Sequence, residues 1–245
     1  MKALGLLLRL ILWDVLREVR RKEAVPNMIL FAVLVLFLIN LGVGPLFDSY
    51  DDSPEPAIQR VGISVGPVLF WVTVLFAGTV GLSQSFAAER DGNSLTGVVL
   101  APIDLGVFYL AKVFATWIYV LLMEFCLLGV YVVLFHFDDW RQLGPLAVVL
   151  VVFSLGYMAA GIVLAAMTTA LKGSGEVVLR ILLFPLLIPL VYLTLRVREG
   201  TFGVDVTAGV FGPSIPFSRY VAVVLAIDAM YLAAGFLLFP KVLEE

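Results

Sequence analysis

Apolar residues gather into six long runs, at residues 28–47, 66–86, 107–135, 143–171, 177–195 and 220–240, with polar stretches between them. A hydrocarbon core about 30 Å thick is crossed by roughly 20 apolar residues in a helix. The runs are of that length, and the third is long enough to tilt. Polar interruptions are few. Asn40 breaks the first run, and Thr73, Thr79, Ser83, Gln84 and Ser85 only mildly polarise the second. Lys112 and Glu124 fall in the third, and the fourth is uncharged and rich in Gly and Ala. Arg180 lies close enough to the end of the fifth to snorkel to the interface, and Asp228 interrupts the sixth. The pattern predicts an all-α integral membrane protein, with residues 26–245 forming one six-helix transmembrane domain.

Residues 1–25 follow a different rule. At 100° per residue Leu4, Leu8, Ile11, Val15 and Val19 share one face, while Lys2, Arg9, Arg17 and Arg20 fall opposite. Arg21 and Glu23 continue the charged end, and Pro26 separates this segment from the first run. Arg9 splits the apolar stretch and no small-residue cleavage site follows, which argues against a signal peptide. The segment reads as an amphipathic elbow helix on the inner membrane surface, in contact with the lipid bilayer. The alternative is a slightly extended first span.

Lysine and arginine excess marks cytoplasmic segments. With the N-terminus inside, the inner side holds Lys2, Arg9, Arg17, Arg20, Arg21, Lys22, Arg90, Lys112, Lys172, Arg180 and Lys241, and the outer side Arg60, Arg141, Arg196, Arg198 and Arg219. The count of 11 against 5 predicts cytoplasmic termini. Residues 196–219, where Gly, Thr, Ser and Pro interleave with Val and Phe, read as an outer loop with short or re-entrant pieces.

Composition sharpens this picture. Apolar residues make up 62% of the 245 and charged ones 14%, which leaves too little polar surface for a water-soluble globule. One Cys and one His exclude a disulfide framework and a self-contained Cys/His metal cluster. A net charge of -3 gives no reason to expect a nucleic-acid partner. No G-x-x-x-x-G-K-[ST] loop and no C-x-x-C-H occur, so neither ATP hydrolysis by that route nor c-type haem attachment belongs to this chain, and no catalytic residue is assigned. Cys126 reads as a packing residue. His136, beside Asp138 and Asp139, is a candidate haem ligand at the outer end of the third run, or simply the polar end of a helix.

Glu124 and Asp228 are carboxylates at mid-membrane depth, where an acid costs roughly 2.5–3.5 kcal/mol. Neither has an obvious cationic partner at its own depth. One reading is a polar contact in a pathway or against a partner helix. The other is a neutral carboxyl hydrogen-bonded to backbone or Ser/Thr within the bundle. Small residues recur at four-residue spacing in Ala77-Gly81-Ser85, Gly156-Ala160 and Gly161-Ala165. Such faces let backbones approach closely, either within one bundle or between two copies of the chain.

The inner connection 87–106 is polar at residues 89–94 and half-apolar at 95–100, and it then reaches Ala101-Pro102. Gly92-Asn93 signals a turn, and Ser94 can cap a short helix with Leu95, Val98 and Val99 on its apolar face. Such a helix, lying along the membrane at the inner ends of two spans, suits force transfer from a cytoplasmic partner.

This segment resembles the inner loop of ABC-2 type permeases, whose acid-rich, Gly-containing run, Leu-rich helix, Pro and later Lys correspond to Glu89, Gly92, Leu95, Leu100, Pro102 and Lys112. Residues 14–23 (DVLREVRRKE), Met28-Ile29-Leu30-Phe31, residues 75–90 (LFAGTVGLSQSFAAER), 100–104 (LAPID) and 180–190 (RILLFPLLIPL) narrow it further. Over roughly residues 10–192 they resemble the CcmB family, haem exporter components of cytochrome c maturation. The Gly of Asp91-Gly92-Asn93-Ser94 stands one place early relative to that family's order.

The resemblance implies a component of the bacterial inner membrane. It would work with a separate ABC ATPase that binds ATP, a haem-handling membrane protein and a haem chaperone, with haem as cargo. ATPase coupling would fall to Glu89, Arg90, Asp91, Gly92, Leu95, Val99 and Pro102. The alternatives are an ABC-2 permease for another cargo, such as a lipid-linked sugar or a drug, and a non-transporting membrane scaffold.

Overall fold

The computed structural model describes residues 2–21, 24–51, 56–85, 104–134, 140–168, 175–196 and 215–244. They form seven helices: α1 (Lys2–Arg21), α2 (Ala24–Asp51), α3 (Pro56–Ser85), α4 (Leu105–Leu134), α5 (Trp140–Thr168), α6 (Gly175–Arg196) and α7 (Phe217–Glu244). α1 is distinct from α2, but Pro26, expected to separate them, lies inside α2. Pro26 sits in the first turn of α2, where an absent amide breaks no intrahelical bond. α4 starts where Asp104 caps it: the Asp104 carboxylate accepts from the Gly106 amide at 2.8 Å, and its carbonyl from the Phe108 amide at 3.1 Å.

Five helices are long and apolar enough to cross a membrane, over Val25–Gly42, Leu105–Leu134, Leu143–Thr168, Val177–Thr194 and Phe217–Leu243; α3 carries a shorter apolar run, Leu69–Ser85. Outward faces of these helices are as apolar as the inward ones. Leu30 and Leu34 on α2, Ile181 and Ile188 on α6, and Met230 and Leu237 on α7 all point away from the bundle. Apolar cover on this scale fits lipid rather than water. The chain is a multi-pass membrane protein.

α5 is the central helix. Buried residues make up 72% of its apolar stretch, against 17–33% in the other four spans, and it packs against α3, α4, α6 and α7. α4 is the second hub, touching α1, α2, α3, α5 and α7. The small-residue faces serve this packing within one chain. A methyl group at Gly161 would overlap Leu82 of α3, and one at Gly81 would overlap the Met28 side chain of α2. Around them an aromatic cluster fills the space between α3, α4 and α5. Phe70 meets Tyr131 at 5.2 Å between ring centres, and Trp71 meets Phe153 at 5.0 Å, both edge to face.

Candidate functional site

Two polar places stand out in this apolar bundle, one at mid-height around α5 and one at the junction of α1, α3 and α4.

At mid-height, Glu124 of α4 and Asp228 of α7 are buried to 0% and 1% exposure. Both address the same turn of α5. Glu124 lies beside Ser154 and within electrostatic reach of Tyr157, whereas Asp228 lies against Gly156. Residues 154 and 157 project to one flank of the helix and 156 to another, so the carboxyls stand at similar depth on separate flanks.

Of the two readings of these acids, the one that has each carboxyl hydrogen-bonded to backbone or Ser/Thr within the bundle is not met by a bond at either position. Among the described residues, none donates a hydrogen bond to any of the four carboxyl oxygens. Their polar neighbours have spent their protons elsewhere. The Ser154 hydroxyl donates to the Leu150 carbonyl at 2.8 Å and accepts from Trp117 Nε1 at 3.1 Å, and the Tyr157 hydroxyl donates to the Leu75 carbonyl at 2.7 Å. Beside Asp228, Thr194 donates to the Leu190 carbonyl, so the Tyr220 hydroxyl 3.1 Å from Thr194 Oγ1 must be the donor of that pair. The Tyr231 hydroxyl donates to the Leu186 carbonyl at 2.7 Å, in a stretch of α6 loosened by Pro185 and Pro189. Backbone carbonyls thus outcompete the carboxyls for these hydroxyl protons.

The second place was only half visible in the sequence. Lys112 Nζ lies 3.1 Å from both carboxyl oxygens of Asp14 on α1 and donates to the Ser85 carbonyl at 3.2 Å. The Tyr119 hydroxyl donates to the Asp14 main-chain carbonyl at 2.8 Å. α1 therefore packs on α4 instead of lying wholly free on a membrane surface. Its apolar residues divide accordingly, with Ile11 and Val15 half-buried and Leu8, Leu12, Trp13 and Leu16 exposed. Among the elbow arginines, Arg9 and Arg20 are exposed, and Arg17 stacks over the Trp13 ring at 5.1 Å. The Arg21 side chain and Glu23 lie outside the described residues.

Glu89, Arg90, Asp91, Gly92, Leu95, Val99 and Pro102 also lie outside the described residues, as do His136 and most of the 196–219 loop. Among the described residues no group of His, Cys, Asp and Glu could hold a metal ion. Cys126 is exposed on α4, not packed in the core as its position had suggested.

A family model described as CcmB protein matches residues 5–233. The chain belongs to the CcmB family. The match extends beyond residues 10–192 and takes in Asp228 as well as Glu124 and the Asp14–Lys112 pair. Relatives agree with it. Heme exporter protein B of Pseudomonas aeruginosa is 28% identical over 174 residues, covering 71% of this chain and 72% of that protein. Heme exporter protein B of Escherichia coli (strain K12) is 29% identical over 98 residues, 40% of this chain and 39% of that protein.

Proposed function

We propose that this chain is the membrane component of an ATP-driven ABC complex for cytochrome c biogenesis in the bacterial inner membrane. It couples ATP hydrolysis by a separate ATPase to haem export, or to release of haem-loaded chaperone on the outer face. The family match over residues 5–233 carries this reading. It is supported by a helical bundle with five full-length spans among the described residues and by a sequence with no phosphate-binding loop of its own, and α3 is read as a sixth crossing. On the charge count both ends of the chain and the connection 87–106 face the cytoplasm, where an ATPase can reach them. Partners are that ATPase, a haem-handling membrane protein and the haem chaperone.

The sequence favours mechanical coupling over passage of haem through this chain: with one His and one Cys it offers no Cys/His pathway of iron ligands across the membrane. The proposed coupling helix of residues 95–100 docks on the ATPase through Leu95 and Val99. Truncating both to Ala removes contacts worth about 1.5–3 kcal/mol per fully buried side chain. Expected is loss of ATPase co-purification in mild detergent, with this chain still at normal level in the membrane. Co-purification and turnover at wild-type values would sink the reading.

A further inference from the structure

Lys112 joins three helices at one point. It is 4% exposed, its ammonium bridges both Asp14 oxygens of α1 at 3.1 Å, and it donates to the Ser85 carbonyl of α3 at 3.2 Å. The Phe108 ring lies 5.9 Å away on the same helix. Asp14 is held a second time through its backbone, by the Tyr119 hydroxyl at 2.8 Å. Residues 112 and 119 are two turns apart on one face of α4, so a single residue of α1 is gripped at two heights.

The grip sets a register. Sliding α1 by one residue moves it about 1.5 Å and turns Asp14 by about 100°, which breaks both attachments. The best-attested use of a buried ion pair is to choose one alignment, which apolar residues of like volume do not specify. Through the Ser85 carbonyl the same cation also holds the last described turn of α3. From Ser85 the chain runs straight into the connection proposed above to dock the ATPase.

We propose that Lys112 is a positioning residue that latches the elbow helix α1 and the inner end of α3 to α4 as one body, so that a push on the 87–106 connection moves the elbow helix with it. The transmission half rests on the ATPase-docking reading. The latch itself does not.

Amide exchange on the full chain, reconstituted in nanodiscs with its ATPase, tests this. Lys112→Met is expected to speed exchange on the order of tenfold or more both in α1 and in the last turn of α3, while Lys112→Arg retains wild-type protection. Because Lys112→Met removes one charge of the pair and leaves the other, the double variant Asp14→Leu/Lys112→Met is the decisive one. It removes both charges and is expected to reach the membrane at normal level, with exchange still fast in both segments and with ATP turnover no longer stimulated by this chain. Fast exchange confined to one segment, or wild-type exchange in the double variant, overturns the latch. Fast exchange in both with unchanged turnover overturns transmission. If Leu95→Ala/Val99→Ala leaves the ATPase bound while exchange behaves as expected, the docking reading fails and the latch stands.

Discussion

Gly156 and Asp228 fit one another so closely that a methyl group on Gly156 would overlap a carboxyl oxygen of Asp228. The central helix α5 gives up a side chain at this position so that α7 can bring a carboxyl to its backbone, in a place where α7 is otherwise apolar. Gly156→Ala is therefore expected to destabilise the bundle by about 1–3 kcal/mol through overpacking. Shortening the opposing residue in Gly156→Ala/Asp228→Ala should recover most of that loss, since the two positions share one volume. Thermal unfolding in detergent reads both values. Equal losses in the single and double variants would mean that Asp228 is not what fills the space.

Glu124 and Asp228 accept no hydrogen bond from the described residues, and an ionised carboxylate in that surrounding is costly. Glu124→Gln and Asp228→Asn should therefore assemble and support cytochrome c maturation at near wild-type level. Glu124→Met, which fills similar volume without a buried polar atom, should raise stability by about 1–3 kcal/mol. Glu124→Ala should lower it, because the methylenes leave a cavity. Haem-stained cytochrome c and thermal unfolding report the two sides. Loss of maturation in the amides with intact assembly would assign charge or proton transfer to these residues.

The Tyr157 hydroxyl ties α5 to α3 at the Leu75 carbonyl, and its ring packs over Gly78. Tyr157→Phe keeps the ring and loses one hydrogen bond, for an expected cost of about 0.5–1.5 kcal/mol. Tyr157→Ala loses the ring as well, and about 3–5 kcal/mol is expected. Unfolding midpoints of the two variants should separate clearly, and similar values would show that the ring contributes little.

Arg9 and Arg20 project from α1 into the surroundings, beside the exposed Leu8, Leu12 and Leu16. Against an anionic leaflet each basic residue contributes about 1 kcal/mol of attraction. Replacing Arg9, Arg17, Arg20 and Arg21 together with Glu should lower insertion or invert the first span. Protease protection of loops in membrane vesicles measures this. An unchanged protection pattern at normal membrane levels would count against an inward-facing elbow.

Helix type was legible in the sequence, because it follows from length and hydropathy, but helix extent was not: α3 begins at Pro56, ten residues before its apolar run. Runs of about 20 apolar residues in lipid have no stable choice but a helix. The elbow helix was legible for a related reason: its charges recur with helical period. Even the outlying charges were visible as oddities. Asp14 is an acid among arginines, Lys112 a cation at the start of a span, and Glu124 and Asp228 acids inside one.

What these oddities meet was decided only by the tertiary structure. In water, an apolar stripe tells which face of a helix turns inward. Here the lipid-facing and core-facing sides are both apolar, so the stripe disappears and with it the record of which helix faces which. Nothing local pairs Asp14 with Lys112, 98 positions apart. Nor does anything local set Glu124 and Asp228 on two flanks of one turn of α5, or assign the small-residue faces to contacts within the chain. Those partnerships come from shape, from glycines that admit a neighbour and from the few polar atoms that seek one another out of lipid. They exist only once the helices have packed.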